Sequence, residues 1–250
     1  MNPMDRRRFV VGAAATFVTS PAFGATSMQS KIERLNTAGL VDRLGWTAFL
    51  ERWSTDVVKR LRLSKRHLNH SEREVLKAGT TTYPGATVSD VAGLERRLKI
   101  ALSPSYKGFL GASNGLRSGV AMHHEPVPTF WPASEVRWLH ERNPELVKRW
   151  TQHPYSVRDA EYQIYGEKQD PVHARPEYLK RIIAISPIVE SGGYLLNPNI
   201  RFESGELEAW DFSVKYPGAS RYRSFAELAE KAYQDEIWLL EYWEGGSRGP

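Results

Sequence analysis

Three sets of residues have the types and spacing needed for chemistry, and the first centres on a serine. Residues 111–115 read Gly-Ala-Ser-Asn-Gly, which fits the G-x-S-x-G turn that presents the nucleophile of α/β-hydrolases. That turn requires a strand before the serine and a helix after it. Here residues 103–110 have a Ser-Pro helix start and an apolar helical face, and residues 116–128 contain two prolines and no helical pattern. Ser113 is therefore predicted to end a helix, with no catalytic role.

The second set is a histidine-rich stretch that could hold a metal ion. His123, His124 and Glu125 are consecutive, but neighbouring side chains on an extended chain point to opposite sides. No HExxH or comparable ligand spacing follows them. The other histidines of this region are scattered among predicted loops, at positions 140, 153 and 173. The sequence therefore predicts no metal site, and the absence of a phosphate-binding glycine loop predicts no nucleotide cofactor.

The third set consists of the acidic residues Glu206, Glu208 and Asp211. Paired carboxylates are the machinery of glycoside hydrolysis, but no other feature of the sequence predicts a sugar-binding cleft. Glu206 and Glu208 fall on the same face of a predicted strand, where solvent exposure is the ordinary explanation. We expect no catalytic residue, and we treat both glutamates as candidate contacts for a binding partner.

The chain contains eight tryptophans, an unusual number for its length. Trp46, Trp53 and Trp238 fit the apolar faces of predicted helices and are expected in the core. Two interpretations stay open for Trp131 and Trp210. Both can pack in the core or at its edge, and both can anchor an interface, since aromatic residues dominate binding hot spots.

Bulk composition is that of an ordinary globular protein, with 250 residues, 41% hydrophobic and 25% charged. The net charge of +5 falls to +3 if residues 1–25 are removed, which is too small to predict a nucleic-acid partner. Cysteine is absent, so disulfides, thiol nucleophiles and cysteine metal sites are excluded.

The first 25 residues are predicted to be an export signal of the twin-arginine type. Three arginines at 6–8 precede the apolar stretch Phe9–Val18, and Ala22 and Gly24 occupy the −3 and −1 positions of a cleavage site. This predicts a periplasmic or secreted protein; a cytoplasmic one is the alternative if the leader does not function. The apolar stretch is too short to span a bilayer, and no membrane span is expected in the mature chain.

Periodicity predicts helices at both ends of the remaining chain. Residues 26–82 form a helical extension, in which apolar residues from Trp46 to Leu61 recur every three or four positions. Further helices are predicted to start at Thr87, with Asp90 completing a capping box, and at Ser103. A last helix begins near Ser224 and Glu227, and residues 241–250 are expected to be a flexible tail.

Extended segments are predicted between these helices. Residues 120–176 suggest loops around one short helix, and the strands are expected at 181–187, 194–198 and 206–212. A turn at 203–205 joins the last two as a hairpin. Helices on a mostly antiparallel sheet place the chain in the α+β class.

One ordered series of motifs resembles the opening of the SUKH superfamily, which includes the Smi and Knr cell-wall regulators of yeast and many bacterial toxin-immunity proteins. Residues 84–117, PGATVSDVAGLERRLKIALSPSYKGFLGASNGLR, have that family's small-residue turn, its acidic amphipathic helix and its second helix ending in Asn-Gly. The matching positions are Glu95, Leu102, Ser103, Pro104, Tyr106, Phe109, Leu110, Asn114 and Gly115. Leu102 stands one place earlier than the family pattern has it.

Later segments extend the resemblance over roughly residues 45–240. GGYLLNP, GELEAWDF and PGASRYRSFAEL are similar to the family's later strands, acidic-aromatic hairpin and last helix, and GWTAFLERWS to a tryptophan-rich helix of larger members. The resemblance implies that residues 83–240 form a SUKH-like domain. It also implies a non-catalytic binding module whose partner is a protein, such as a cognate toxin that it neutralises as an immunity protein.

Two other functions remain open. One is a cell-envelope regulator or scaffold, and the other is a periplasmic hydrolase that uses Ser113 or the acidic hairpin. An export signal is not typical of the family. The candidate partner contacts are Trp131, Glu206, Glu208 and Trp210.

Overall fold

The computed structural model describes residues 40–117, 121–122, 125–126, 130–152, 156–189, 192–213 and 218–244. The helices are α1 (Arg43–Leu63), α2 (His70–Ala78), α3 (Val88–Leu98), α4 (Pro104–Ala112), α5 (Leu139–Arg142), α6 (Pro144–Thr151), α7 (Asp159–Tyr162) and α8 (Phe225–Glu244). The strands are β1 (Ala121–Met122), β2 (Glu125–Pro126), β3 (Arg137–Trp138), β4 (Ile183–Ala184), β5 (Gly193–Arg201), β6 (Leu207–Ser213) and β7 (Gly218–Tyr222).

The central element is a five-stranded antiparallel sheet in the order β3-β4-β5-β6-β7. Strands β5 and β6 form the predicted hairpin, and Gly205 in its turn has a φ of 83°, a conformation that favours glycine. The α+β class with an antiparallel sheet and flanking helices is thus confirmed. Strand β7 was not predicted, because Gly218 to Tyr222 has no regular hydrophobic alternation.

Both faces of the sheet are covered, each by its own hydrophobic cluster. Leu207 and Ala209 of β6 belong to a large cluster shared with the long helices, and Trp210 and Phe212 belong to a second cluster. Since alternate residues of a strand point to opposite faces, the two clusters lie on opposite sides of the sheet. The described residues therefore form three layers.

Aromatic side chains hold the helical layer together. Trp46 of α1 contacts Phe109 of α4 and Phe225 of α8, with ring centroids 5.5 and 5.4 Å apart. Trp46 and Trp53 are buried as predicted, and the two helices that precede residue 83, α1 and α2, share one core with the long helices that follow. The close approach of α1 to α4 depends on Gly108, because a Cβ there would lie 2.7 Å from the Trp46 ring.

The prediction for Trp238 was wrong. Its side chain is 56% exposed, and it stacks on Tyr242 one turn later, with ring centroids 5.6 Å apart. Ile237 and Leu240 occupy the buried face of α8, so Trp238 falls on the solvent face. Helix α8 also continues to Glu244, so the first four residues of the predicted tail, 241–250, are helical.

The opposite layer is built from the described residues between 139 and 181, in which α5, α6 and α7 are followed by three 3₁₀ segments, Gly166–Lys168, Pro171–His173 and Pro176–Arg181. Within residues 120–176, where the sequence predicts loops around one short helix, Arg137 and Trp138 form edge strand β3. The other edge, β7, is covered by a 3₁₀ segment. A Cβ at Gly218 would lie only 2.0 Å from the Pro171 carbonyl oxygen, so glycine permits this contact.

In the part of the chain that the structure describes, no helix combines the length and the apolar character needed to cross a membrane.

Candidate functional site

Ser113 ends helix α4, as the sequence predicts, and its hydroxyl is fully committed to the backbone. Its Oγ donates to the Gly115 carbonyl oxygen at 2.5 Å and accepts from the Tyr83 N–H at 2.9 Å. The side chain has no exposed surface. A buried hydroxyl bonded in this way lacks the access and the adjacent base that a nucleophile needs.

Glu206 is buried, so the expectation of solvent exposure was wrong. Its carboxylate accepts two hydrogen bonds from Ser105, from the backbone N–H at 2.8 Å and from the hydroxyl at 2.6 Å. Ser105 lies in the first turn of α4, where backbone N–H groups lack helical partners and negative charge is favoured. Glu206 thus caps a helix distant in sequence, a role predicted for Ser103, which makes no side-chain capping bond.

Glu208 has no exposed surface either, and four side chains donate hydrogen bonds to it. Its Oε2 accepts from Tyr162 at 2.6 Å, from Asn197 at 2.7 Å and from Trp210 at 2.6 Å, and its Oε1 accepts from Tyr165 at 2.7 Å. Glu208 and Trp210, both predicted as partner contacts, are buried in this conformation and present almost no surface to a partner.

Arg221 of β7 supplies the counter-charge, and it too is fully buried. One terminal nitrogen lies 4.0 Å from Oε1 of Glu208, and the guanidinium donates to the carbonyl oxygens of Tyr162 and Ile164. The guanidinium carbon of Arg221, Cζ, lies 4.2 Å from the centre of the Tyr162 ring. We call these six residues the Glu208 cluster: Glu208, Arg221, Tyr162, Tyr165, Asn197 and Trp210.

The Glu208 cluster fixes the protonation of its tyrosines. Burial, and secondarily the negative charge of Glu208, raises the pKa of Tyr162 and of Tyr165 well above the usual value near 10. Both phenols therefore stay protonated at physiological pH and act as donors. The consequence is structural, because the segment that carries both tyrosines is tied to the sheet.

Above this cluster lies an open cleft of about 960 Å³, which we call the hairpin cleft. Its walls are the β5–β6 turn, residues 159–165 and the start of α8, and its volume lies in the range of small-ligand and side-chain pockets. The residues that line it include Tyr165, Arg175, Arg201, Phe202, Glu203 and Arg223.

The three arginines of the hairpin cleft differ in the hydrogen bonds and ion pairs that their guanidinium groups make. Arg175 pairs with Asp159 and donates to the Tyr178 hydroxyl at 2.9 Å. Arg201 donates only to backbone, to the carbonyl oxygens of Gly205 and Ala101 at 2.7 and 2.6 Å. Arg223 lies over Tyr165, 5.2 Å from the ring centre, and its guanidinium makes no hydrogen bond or ion pair with any described residue.

Trp131 is half-buried between the two hydrophobic clusters and outside the hairpin cleft. Arg142 lies over its ring at 4.8 Å and pairs with Glu135 on the surface. Of the predicted partner contacts, Trp131 is the one that keeps appreciable accessible surface.

The described residues contain no group of three or more histidine, aspartate or glutamate side chains placed to hold a metal ion. His123, His124 and His153 lie outside the described residues. His140 is exposed and stacks on Trp138, with ring centroids 6.3 Å apart.

Sequence reasoning missed the residues of the hairpin cleft. They come from four separate segments, and no local motif marks them. The available signal was the placement of arginines next to aromatic residues. Residues 221–223 read Arg-Tyr-Arg, and Arg201 adjoins Phe202.

Comparison with known proteins gives no family for this chain. No protein-family model matches it, and no curated protein matches it. The hairpin cleft and the Glu208 cluster are therefore interpreted from their own chemistry.

Proposed function

We propose that this protein is a non-catalytic binding module of SUKH type, which neutralises a protein toxin as an immunity protein by stoichiometric binding. One observation carries the proposal. Three residues that the sequence offers as catalytic candidates, Ser113, Glu206 and Glu208, are buried and make internal hydrogen bonds. The hairpin cleft, by contrast, is lined by accessible polar side chains with aromatic neighbours.

Such a surface suits inhibition by coverage. An inhibitor that blocks a toxin's active site needs complementary shape and charge, and it needs no reactive group. Arginine and aromatic side chains are the residue types that contribute most binding energy in protein interfaces. The hairpin cleft presents both, on segments that the Glu208 cluster ties to the sheet.

The test is capture of the partner with the full chain, tagged at its C-terminus and expressed in its native host. We expect one stoichiometric partner that is toxic when expressed alone and harmless when co-expressed with this protein. Calorimetry on the purified pair should give a 1:1 complex. Failure to capture a toxic partner, or toxicity that persists at a molar excess of this protein, would refute the proposal.

Export to the periplasm or beyond is part of this proposal and rests on residues 1–25. These residues lie outside the described part of the chain. In that compartment the protein would meet a toxin on its way into the cell, before the toxin reached the cytoplasm.

A further inference from the structure

We infer that the hairpin cleft is the surface that receives the partner, and that it takes a carboxylate side chain next to an aromatic or apolar one, presented by a loop of the partner protein. This inference rests on the proposed function. Four observations carry it: an unpaired arginine, a fixed aromatic platform, the occupancy of the neighbouring acids and the volume of the cleft.

Arg223 is the cation that a ligand would meet. Its exposed guanidinium lies over the Tyr165 ring and makes no ion pair within the described residues. None of its side-chain N–H donors is taken by a described residue, so the N–H edge of the guanidinium is available to a ligand. That edge matches the two oxygens of a carboxylate, which it can bind with two parallel hydrogen bonds.

Tyr165 and Phe202 form an aromatic platform beside Arg223. Their rings meet edge to face, with centroids 5.8 Å apart. The hydroxyl of Tyr165 is held by Glu208 at 2.7 Å, so its ring is positioned before any ligand arrives. A preorganised contact loses less conformational entropy on binding, and an apolar group seated here would be buried against both rings.

The acids of the cleft leave Arg223 free for an external anion. Asp159 is paired with Arg175, and Glu206 caps α4 from a buried position. Glu227 accepts from the Arg223 backbone N–H at 2.9 Å and caps its own helix. Glu203 is the one acid among the cleft-lining residues without an ion pair or hydrogen bond in the described structure, so it should oppose an anionic ligand.

The volume of the cleft, about 960 Å³, favours a protruding loop. Pockets of 300–1,000 Å³ enclose a drug-sized ligand or a few side chains. The cleft is too small for a folded domain and too open to enclose a small molecule completely. One acidic and one aromatic side chain from a loop fit the groups that line it.

The first experiment uses two probes that differ in charge but share a shape, 3-phenylpropanoate and 3-phenylpropanamide. Each is titrated into the full chain and followed by nuclear magnetic resonance. We expect the carboxylate to shift the resonances of Tyr165, Phe202 and Arg223, and to bind at least fivefold more tightly than the amide. Arg223→Gln should abolish this preference, and Glu203→Gln should strengthen carboxylate binding about twofold, because a like charge is removed.

Arg149→Gln is the matched control, since Arg149 is exposed on α6 and does not line the cleft. This variant should bind both 3-phenylpropanoate and 3-phenylpropanamide with the affinities of the wild type. Equal affinities of the wild type for both probes, or shifts confined to residues outside the cleft, would overturn the inference. Equal loss of preference in the Arg149 and Arg223 variants would do the same, because it would show an effect of net charge alone.

The second experiment uses the captured partner and separates this inference from the proposed function. Arg223→Gln should weaken the complex at least tenfold, and Arg149→Gln should leave it unchanged. If neutralisation of a toxin is observed and Arg223→Gln has no effect on its affinity, the cleft inference fails and the proposed function stands. If the cleft selects carboxylates and no toxic partner exists, the immunity function fails and the cleft's chemistry stands as that of another acidic partner.

Discussion

Replacing Glu208 by glutamine tests whether the buried cluster is held by a charged carboxylate. Glutamine keeps the shape and one acceptor oxygen, but it puts an NH₂ group where donors already point and leaves Arg221 buried without its counter-charge. Removing one member of a buried ion pair costs about 3–5 kcal/mol, and one hydrogen bond to a charged group contributes about 1.5–3 kcal/mol. We therefore expect Glu208→Gln to lower the free energy of unfolding by about 3–5 kcal/mol at pH 7.

Urea denaturation, followed by far-ultraviolet circular dichroism and tryptophan fluorescence, measures this loss. The fluorescence should change as well, because the Trp210 indole N–H donates to Glu208. Glu203→Gln, which neutralises an exposed carboxylate of the same hairpin, is the control and should stay within about 0.5 kcal/mol of the wild type. If Glu208→Gln fails to fold, Tyr165→Phe removes a single donor to the carboxylate and should cost about 1.5–3 kcal/mol.

A double-mutant cycle assigns the effect to the pair. Glu208→Gln and Arg221→Gln together should cost at least about 1 kcal/mol less than the sum of the single changes, since each single change leaves an unpaired buried group. A loss below about 1 kcal/mol for Glu208→Gln would refute the reasoning. It would mean that Glu208 is neutral in the folded protein or that water reaches it.

Three further predictions concern pH, the serine turn and export. Burial, and secondarily the nearby charge of Asp235, raises the pKa of Asp211 from its usual value near 3.8 to about 6. The folded protein thus holds this proton more tightly than the unfolded chain, so the stabilising contribution of Asp211 is fully present below about pH 4 and is lost as pH rises through about 6. Asp211→Asn should remove that fall and stabilise the protein by up to about 3 kcal/mol at pH 8, as measured by urea denaturation at a series of pH values; an unchanged pH profile would contradict the assignment. Ser113→Ala should lower the free energy of unfolding by about 1–3 kcal/mol, because it leaves two backbone groups without their partner. Below its melting temperature the variant should still neutralise the toxin, whereas a hydrolase that used Ser113 would lose its activity. Replacing Arg6 and Arg7 by lysine should retain the protein in the cytoplasm, as scored by cell fractionation against an Arg149→Lys control, and continued export would show that the twin-arginine assignment is wrong.

The helix boundaries could be predicted because their signals are local. The Thr87–Asp90 capping box forms as expected, with the Asp90 N–H donating to Thr87 Oγ1 at 3.1 Å, and Ser113 ends α4. These signals depend on residues three or four positions apart. The hairpin between β5 and β6 was predictable for the same reason, since its turn is marked by glycine and polar residues.

The candidate site could not be predicted, because its contacts are distant in sequence. Alternating acids on a strand normally face solvent, and the groups that reverse this for Glu208 lie elsewhere: Tyr162 is 46 residues away, and Arg221 is on a strand without apolar alternation. Glu206 likewise caps a helix through Ser105, 101 residues earlier. The sequence predicts a charged hairpin, but only the fold shows which charged side chains are buried with a partner and which remain accessible to a ligand.

The packing of α1 against α8 has a consequence for how the chain acquires its structure. Trp53 donates to Glu236 and Tyr233 donates to Asp56, contacts that join residues separated by 183 and 177 positions. Contacts of such long sequence separation form slowly, since a large loop must close first. During synthesis Trp46 can pack on Phe109 of α4, but Phe49 and Trp53 gain their contacts with Tyr233 only when the last helix leaves the ribosome. A nascent chain that stalls before residue 225 therefore leaves Phe49 and Trp53 without the last helix, and exposed aromatic surface of this kind is what chaperones and proteases act on.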